Sequence, residues 1–110
     1  MSVTIHLLLP GGRVRPVPLT VFNRAAELRD WLYSRPEQDV PLKVRRGVLG
    51  LAGQTLPSGH TRLDTVTVDE WRAWWLRGPE GDRCFEEVNL ALHDQRVRGL
   101  VIHCLEENGK

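Results

Sequence analysis

The segment from Val48 to Asp64, VLGLAGQTLPSGHTRLD, constrains the fold of this chain more than any other segment. A short apolar run ends in Ala52-Gly53, a polar pair and a leucine follow, and Pro57-Ser58-Gly59 is a strong turn signal. Short apolar runs bounded by such signals are typical of buried strands. The pattern predicts a strand over Gly47–Leu51 and a short strand or turn over Gln54–Leu56.

Length and composition indicate a single globular domain. The chain has 110 residues, of which 41% are hydrophobic and 26% charged, and its formal net charge is +1. A chain of this size can bury a core without metal or disulfide staples, and a near-neutral charge gives no overall attraction to nucleic acid or to an anionic membrane. No apolar run approaches the ~20 residues that span a bilayer, and the first residues lack a secretory signal pattern. We therefore expect one domain over residues 1–110, in the cytoplasm, with Cys84 and Cys104 reduced.

The first third of the chain predicts a β-hairpin followed by a helix. Apolar residues alternate in Val3–Leu9 and again in Val14–Phe22, and the breaker Pro10-Gly11-Gly12 lies between them. Pro16 lacks a backbone donor and therefore suits an edge strand. From Arg24 to Tyr33 the apolar residues recur at helical spacing, with charged residues on the other side.

A second helix begins at a capping signal. Thr67 followed three residues later by Glu70 forms a capping box, which satisfies two backbone N–H groups at a helix N-terminus. The helix that follows carries Trp71, Trp74 and Trp75 on one stripe.

The segment after the tryptophan helix fits two patterns. Val88, Leu90 and Leu92 alternate, which favours a strand, whereas Phe85, Val88 and Leu92 also fit a helix. Leu100–Leu105 is apolar and β-branched and predicts a strand.

The order of hairpin, helix, strand, turn-rich segment and late strand resembles the ubiquitin-like β-grasp family. The resemblance covers roughly residues 3–68 and 100–105. It is carried mainly by Leu49–Asp64, in which a run ends in Ala-Gly, a leucine follows, and a turn glycine precedes a threonine and an aspartate. It implies an α+β, ubiquitin-like β-grasp fold with the last strand beside the first. Residues 69–98 depart from the family pattern, and they are either an extra helical segment inserted before the last strand or evidence for a different fold.

Three positions limit what the resemblance implies about function. Ubiquitin-like modifiers are conjugated through a Gly-Gly arm, where this sequence reads Glu107-Asn108-Gly109-Lys110. The centre of ubiquitin's exposed aliphatic patch matches Gly50, and the lysine of its common chain linkage matches Gln54. The resemblance therefore implies an interaction module that is not conjugated through its C-terminus and that does not use the usual patch.

The sequence contains no recognisable catalytic or metal-binding pattern. His103 and Cys104 are adjacent, so on a strand they point to opposite faces and cannot form a base–nucleophile pair. The histidines lack the spacing of zinc sites, and phosphate-binding glycine motifs are absent. We expect no enzymatic activity, no metal and no other cofactor.

Basic residues near the hairpin and after the first helix suggest an alternative site. They are Arg13, Arg15, Lys43, Arg45 and Arg46. Grouped together they could contact phosphates and bind nucleic acid. The favoured interpretation is that they protect a strand edge from pairing, so a nucleic-acid partner is not the first expectation.

The tryptophan stripe is the remaining candidate for function. Tryptophan is enriched in protein–protein hot spots, so Trp71, Trp74 and Trp75 either pack within the domain or form a partner surface. With Leu8 and Val48 on the predicted sheet face, they are our candidate partner-binding residues. We expect a non-enzymatic protein-interaction module or adaptor that binds another protein. The alternatives are a small RNA-binding domain that uses the basic residues, and a homodimer built on the tryptophan face or on an open sheet edge.

Overall fold

A computed structural model describes residues 2–17, 25–36, 38–52, 59–75 and 85–107. The strands are β1 (Ser2–Leu9), β2 (Arg13–Val17), β3 (Gly59–Thr67) and β4 (Gly99–Glu107). The helices are α1 (Ala25–Ser34), α2 (Leu42–Ala52), α3 (Val68–Trp75) and α4 (Glu86–Ala91). None of the helices in these ranges is long and apolar enough to cross a membrane.

The four strands form one antiparallel sheet in the order β2-β1-β4-β3. A tight turn joins β1 to β2, and it requires glycine because Gly11 and Gly12 have φ of 79° and 75°. Ile5 lies beside Val17 of β2 and beside Ile102 of β4. The structure confirms the N-terminal hairpin, the late strand and an α+β architecture, and it places the last strand beside the first.

The main core lies between one face of the sheet and three helices. We call this face the tryptophan face. The helices α1, α3 and α4 contribute Leu28, Trp71 and Val88, all fully buried, and the strands contribute Ile5 and Leu100 among others. The helices that were predicted as an extra segment before β4 are thus part of the same core as the hairpin.

The opposite face of the sheet is covered by α2, so the fold has three layers. Val40, Val44 and Val48 are spaced four residues apart and pack on Val101 of β4. The prediction of a strand over Gly47–Leu51 is therefore wrong. A short apolar run fits either a strand or a buried helix face. The strand prediction rested on Gly47–Leu51 alone, which contains only the last of the three valines, so the helical spacing was not seen.

The remaining sequence predictions can be compared directly. The first helix and the tryptophan helix are confirmed, and Thr67 and Glu70 form the predicted capping box, with both N–H···O distances at 3.1 Å. The ambiguous segment is helical at Glu86–Ala91, with Val88 buried and Leu90 exposed. The predicted segment Gln54–Leu56 lies outside the described residues.

The connection between α1 and α2 passes around the β3 edge of the sheet, because the two helices lie on opposite faces. Arg62 of β3 donates to the Arg35 carbonyl at 3.1 Å, and the Arg35 guanidinium donates to the Thr65 carbonyl at 3.4 and 3.5 Å. With its amide oriented to satisfy both neighbours, Gln38 also donates to the Thr65 carbonyl at 2.6 Å. These contacts fasten the connection to the outside of β3.

Candidate interaction surface

The tryptophan side chains lie in the core. Trp71, Trp74 and Trp75 are 0%, 4% and 7% exposed. Trp71 stacks on Trp75 with ring centroids 6.1 Å apart, it contacts Phe85 edge-on at 5.7 Å, and its indole N–H donates to Asn89 at 3.1 Å. Of the two interpretations of the stripe, the structure shows packing within the domain. The alternative, in which these tryptophans form an exposed surface for a partner, is wrong.

The predicted sheet face around Leu8 and Val48 is also covered. Val48 is fully buried on α2, and Leu8 is half-buried beneath it. Because α2 occupies this face of the sheet, Val48 offers no open surface to a partner, and Leu8 is accessible only at the cleft beside the hairpin turn. The prediction of an exposed sheet face fails for the same reason as the strand prediction, because the helix α2 was not expected over this face.

The five basic residues are exposed but do not form one patch. Arg13 and Arg15 lie opposite Leu9 and Leu7 in the hairpin, so they project on the tryptophan-face side of β2. The other three lie on α2, on the opposite side of the sheet; they are Lys43, Arg45 and Arg46. Successive helical residues are about 100° apart, which puts Lys43 near the hairpin and Arg45 on the far flank of the helix.

A cleft of about 400 Å³ lies between the hairpin turn and the N-terminus of α2. Its lining is mainly apolar and consists of Leu8, Leu9, Pro10, Gly11, Gly12, Pro41, Val44 and Arg98. Lys43 lies at its rim, where its ammonium group donates to the Gly11 carbonyl at 3.4 Å, and the neighbouring Leu42 is 53% exposed. Among the described residues, neither Lys43 nor Arg98 forms an ion pair. Within the described ranges, the cleft therefore combines apolar walls with two cations that form no ion pair.

The sequence interpretation missed Arg98 and the two prolines of this cleft. Pro10 was interpreted only as part of a breaker and Pro41 was assigned no role, since nothing local indicates that they meet. They come together because the N-terminus of α2 lies against the hairpin turn.

A buried ionic cluster lies on the tryptophan face beside β3. Asp64 is fully buried, and its carboxylate contacts the guanidinium groups of Arg35 at 3.3 Å and Arg62 at 3.4 Å. Burial raises the pKa of the Asp64 carboxyl, and the two arginines partly oppose that rise. Glu70 also pairs with Arg35. The cluster joins the α1–α2 connection to β3 and α3. We therefore assign it a structural role.

Two histidines are buried on the α2 side of the sheet. His6 is 1% and His103 is 5% exposed; His103 lies opposite Thr4 and His6 opposite Val101, so the two rings are diagonal neighbours. In the part of the chain that the structure describes, neither ring nitrogen of His6 has a hydrogen-bond partner, nor has Nε2 of His103. Burial lowers the pKa of both, and for His6 the charge of His103 adds to the effect. Cys104 is buried on the other face, as the strand alternation predicted.

Among the described residues, no three His, Cys, Asp or Glu side chains come together as a metal site would require. Comparisons with protein-family models, curated proteins and solved structures found no match for this chain. The function is therefore inferred from the surface geometry, and the cleft between the hairpin turn and α2 is the candidate site.

Proposed function

We propose that this chain is a non-enzymatic protein-interaction domain whose cleft binds an acidic segment of another protein that carries an apolar side chain. The supporting observation is the combination of mainly apolar walls with Lys43 and Arg98, two cations without an ion pair among the described residues. An apolar side chain suits the walls, and neighbouring carboxylates suit the cations.

The affinity of such a site is expected to be modest. Burying one leucine-sized side chain stabilises a complex by roughly 1.5–3 kcal/mol. The cations at the rim add more to the association rate and to specificity than to affinity. The N-terminus of α2 lies at the same cleft, and its partial positive charge also favours carboxylates.

Nucleic-acid binding by the basic residues has weaker support. The five residues divide between two sides of the sheet, so they do not present a continuous line of charge to a phosphate backbone. Binding of single strands usually includes stacking of bases on aromatic side chains. Among the large aromatic side chains that the structure describes, only that of Tyr33 is more than a third exposed. It lies beside Arg62 of β3 and not at the cleft.

The ubiquitin-like β-grasp family remains a proposal with limited support. The hairpin, the helix α1 that follows it, and the position of β4 beside β1 agree with it. The direction of β4 does not, because β4 runs antiparallel to β1, whereas the first and last strands of a β-grasp sheet run parallel. The segment that carried the resemblance most specifically is helical at Gly47–Leu51, where the family comparison placed a strand. We therefore take from the resemblance only the general class of interaction domain, since a fold does not determine a function.

Fluorescence anisotropy with three labelled probes tests the proposal. The probes are a peptide of alternating leucine and glutamate, the same peptide with lysine in place of glutamate, and a single-stranded RNA oligonucleotide. We expect the acidic peptide to bind and to shift the amide NMR signals of Gly11, Gly12 and Val44, which line the cleft.

Arg98→Glu and Arg45→Glu form a matched pair of variants. Both arginines are exposed, but Arg98 lines the cleft and Arg45 lies on the far flank of α2. We expect the first change to weaken peptide binding by about tenfold, chiefly through slower association, and the second to leave it within about twofold. Equal effects of the two variants would contradict the proposal. RNA binding that falls steeply with salt, without peptide binding, would favour the nucleic-acid alternative.

A further inference from the structure

The β2 edge of the sheet leaves few backbone groups open. The Leu8 carbonyl accepts a hydrogen bond from the Arg98 N–H at 2.8 Å, so the backbone N–H and C=O of Leu8 point toward β4. Because these groups alternate along a strand, those of Leu7 and Leu9 point toward β2. Their partners, such as Arg15, point back toward β1. The outward residues of β2 are therefore Val14 and Pro16, and Pro16 has no N–H to offer. A proline in this position blocks the addition of another strand.

The C-terminal half of the β3 edge is occupied. The same alternation, carried across β4, points the backbone groups of Thr61, Leu63, Thr65 and Thr67 outward. Two contacts agree with this assignment. The Thr65 carbonyl accepts from Arg35, and the Thr67 N–H donates to the Glu70 carboxylate at 3.1 Å.

With respect to the described residues, the N-terminal half of the same edge is open. Among the described residues, no group contacts the outward N–H and C=O of Thr61 or Leu63, and the Thr61 side chain is exposed. Gly59 has the same orientation in the strand. We infer that the segment Gly59–Leu63 pairs with the same segment of a second copy of this chain, which makes a two-fold symmetric dimer with a continuous sheet.

The occupied groups determine the register of this pairing. Because the Thr65 carbonyl is already bound, the new ladder is confined to Gly59–Leu63, and the midpoint of that segment is Thr61. Antiparallel pairing about the midpoint sets Thr61 against Thr61 of the second copy, and Gly59 against Leu63. Each of these opposed pairs can exchange two N–H···O bonds.

The side chains in this register are compatible with self-pairing. Threonine opposite threonine is a favourable cross-strand pair. Arg62 would lie opposite His60 rather than opposite itself, and its charge is already compensated by Asp64 at 3.4 Å. The segment is thus complementary to itself, as an isologous interface requires, without help from another sequence.

The dimer is expected to be weak, because a single strand edge buries less than the roughly 1,200 Å² of a stable interface. Sedimentation equilibrium up to about 1 mM protein should show a reversible monomer–dimer equilibrium. Thr61→Lys sets two ammonium groups against each other and should raise the dissociation constant by about tenfold or more. Thr61→Val keeps the shape of the side chain and should leave the dimer intact. Circular dichroism checks that both variants fold.

Cysteine cross-linking tests the register itself. Opposed residues in a hydrogen-bonded pair have Cα atoms about 5.5 Å apart, within the range of a disulfide. In a Cys84→Ser background, Thr61→Cys should oxidise to a covalent dimer much faster than Arg13→Cys, an exposed position on the β2 edge. The inference is overturned if the wild type is monomeric throughout, if Thr61→Lys dimerises as well as the wild type, or if both cysteine variants oxidise at the same rate.

Discussion

Replacing Arg35 with methionine should destabilise this protein strongly. Arg35 contacts the Asp64 carboxylate at 3.3 Å, donates to the Thr65 carbonyl, and lies over the Trp31 ring at 5.1 Å. Its side chain is 8% exposed and that of Asp64 is 1% exposed, so the pair is shielded from water. Removing one partner of a buried ion pair typically costs about 3–5 kcal/mol, because the other charge loses its compensation. Arg62 still contacts Asp64 at 3.4 Å, so the cost here should lie toward the lower end of that range. Domains have total stabilities of about 5–15 kcal/mol, so the loss is a large part of the whole.

A double-mutant cycle with Asp64→Asn separates the charge effect from lost packing. If the uncompensated carboxylate dominates, the double variant should be more stable than Arg35→Met alone. The pH dependence has a definite sign. Burial raises the pKa of Asp64 and Arg35 opposes that rise, so without Arg35 the folded chain takes up this proton at a higher pH than the wild type does, and the deficit of Arg35→Met should shrink as the pH falls. Urea unfolding followed by circular dichroism measures all four proteins. A cost below about 1 kcal/mol, as for a surface pair, or no recovery in the double variant, would refute the reasoning.

Three further measurements test the core and a helix terminus. Burial lowers the pKa of His6 and His103, so the unfolded chain binds protons at a higher pH than the folded chain does. The urea midpoint should therefore fall as the pH drops from about 7.5 to 5, and His6→Leu should make the midpoint depend less on pH. Trp71→Ala should cost about 3–5 kcal/mol in thermal unfolding, and a variant as stable as the wild type would show that the indole is not buried. Thr67→Ala should cost about 1 kcal/mol through the lost helix cap, whereas Thr61→Ala on the same strand should lie within about 0.5 kcal/mol of the wild type at low protein concentration.

The elements that the sequence predicts correctly carry local signals. The capping box at Thr67 and the Pro-Gly-Gly turn act over a few residues, so their effect does not depend on the rest of the fold. The helix α2 has no capping box at its start, and Pro41 before it is a weaker signal. Its valine stripe begins at Val40 and indicates a helix only when it is known that these valines pack on the apolar face of a sheet. The run of glycine, valine and leucine at Gly47–Leu51 fitted a strand equally well.

The candidate site was less predictable than the fold, because it depends on that same helix. Pro10 belongs to the hairpin turn and Arg98 directly precedes β4, and they form a cleft only where Pro41 and Val44 lie against them. The tryptophan stripe was identified correctly as a feature, and its helical spacing was right. Whether such a stripe faces the core or a partner depends on the apolar surface that the sheet offers, and sequence spacing does not contain that information.

Helices on both faces leave the ends and edges of this sheet as its surfaces for recognition. The cleft is at the hairpin end of the sheet, beside Gly11, whereas the open segment Gly59–Leu63 is at the other end of β3, on the opposite edge from β2. Pairing of two copies through β3 would therefore leave both clefts accessible. Two weak sites on one dimer can bind a partner with two acidic segments far more tightly than either site alone, provided that the linker between the segments spans the distance. A modest cleft and a weak dimer would then act together, and Thr61→Lys should reduce binding of a two-segment partner while leaving binding of the single peptide unchanged.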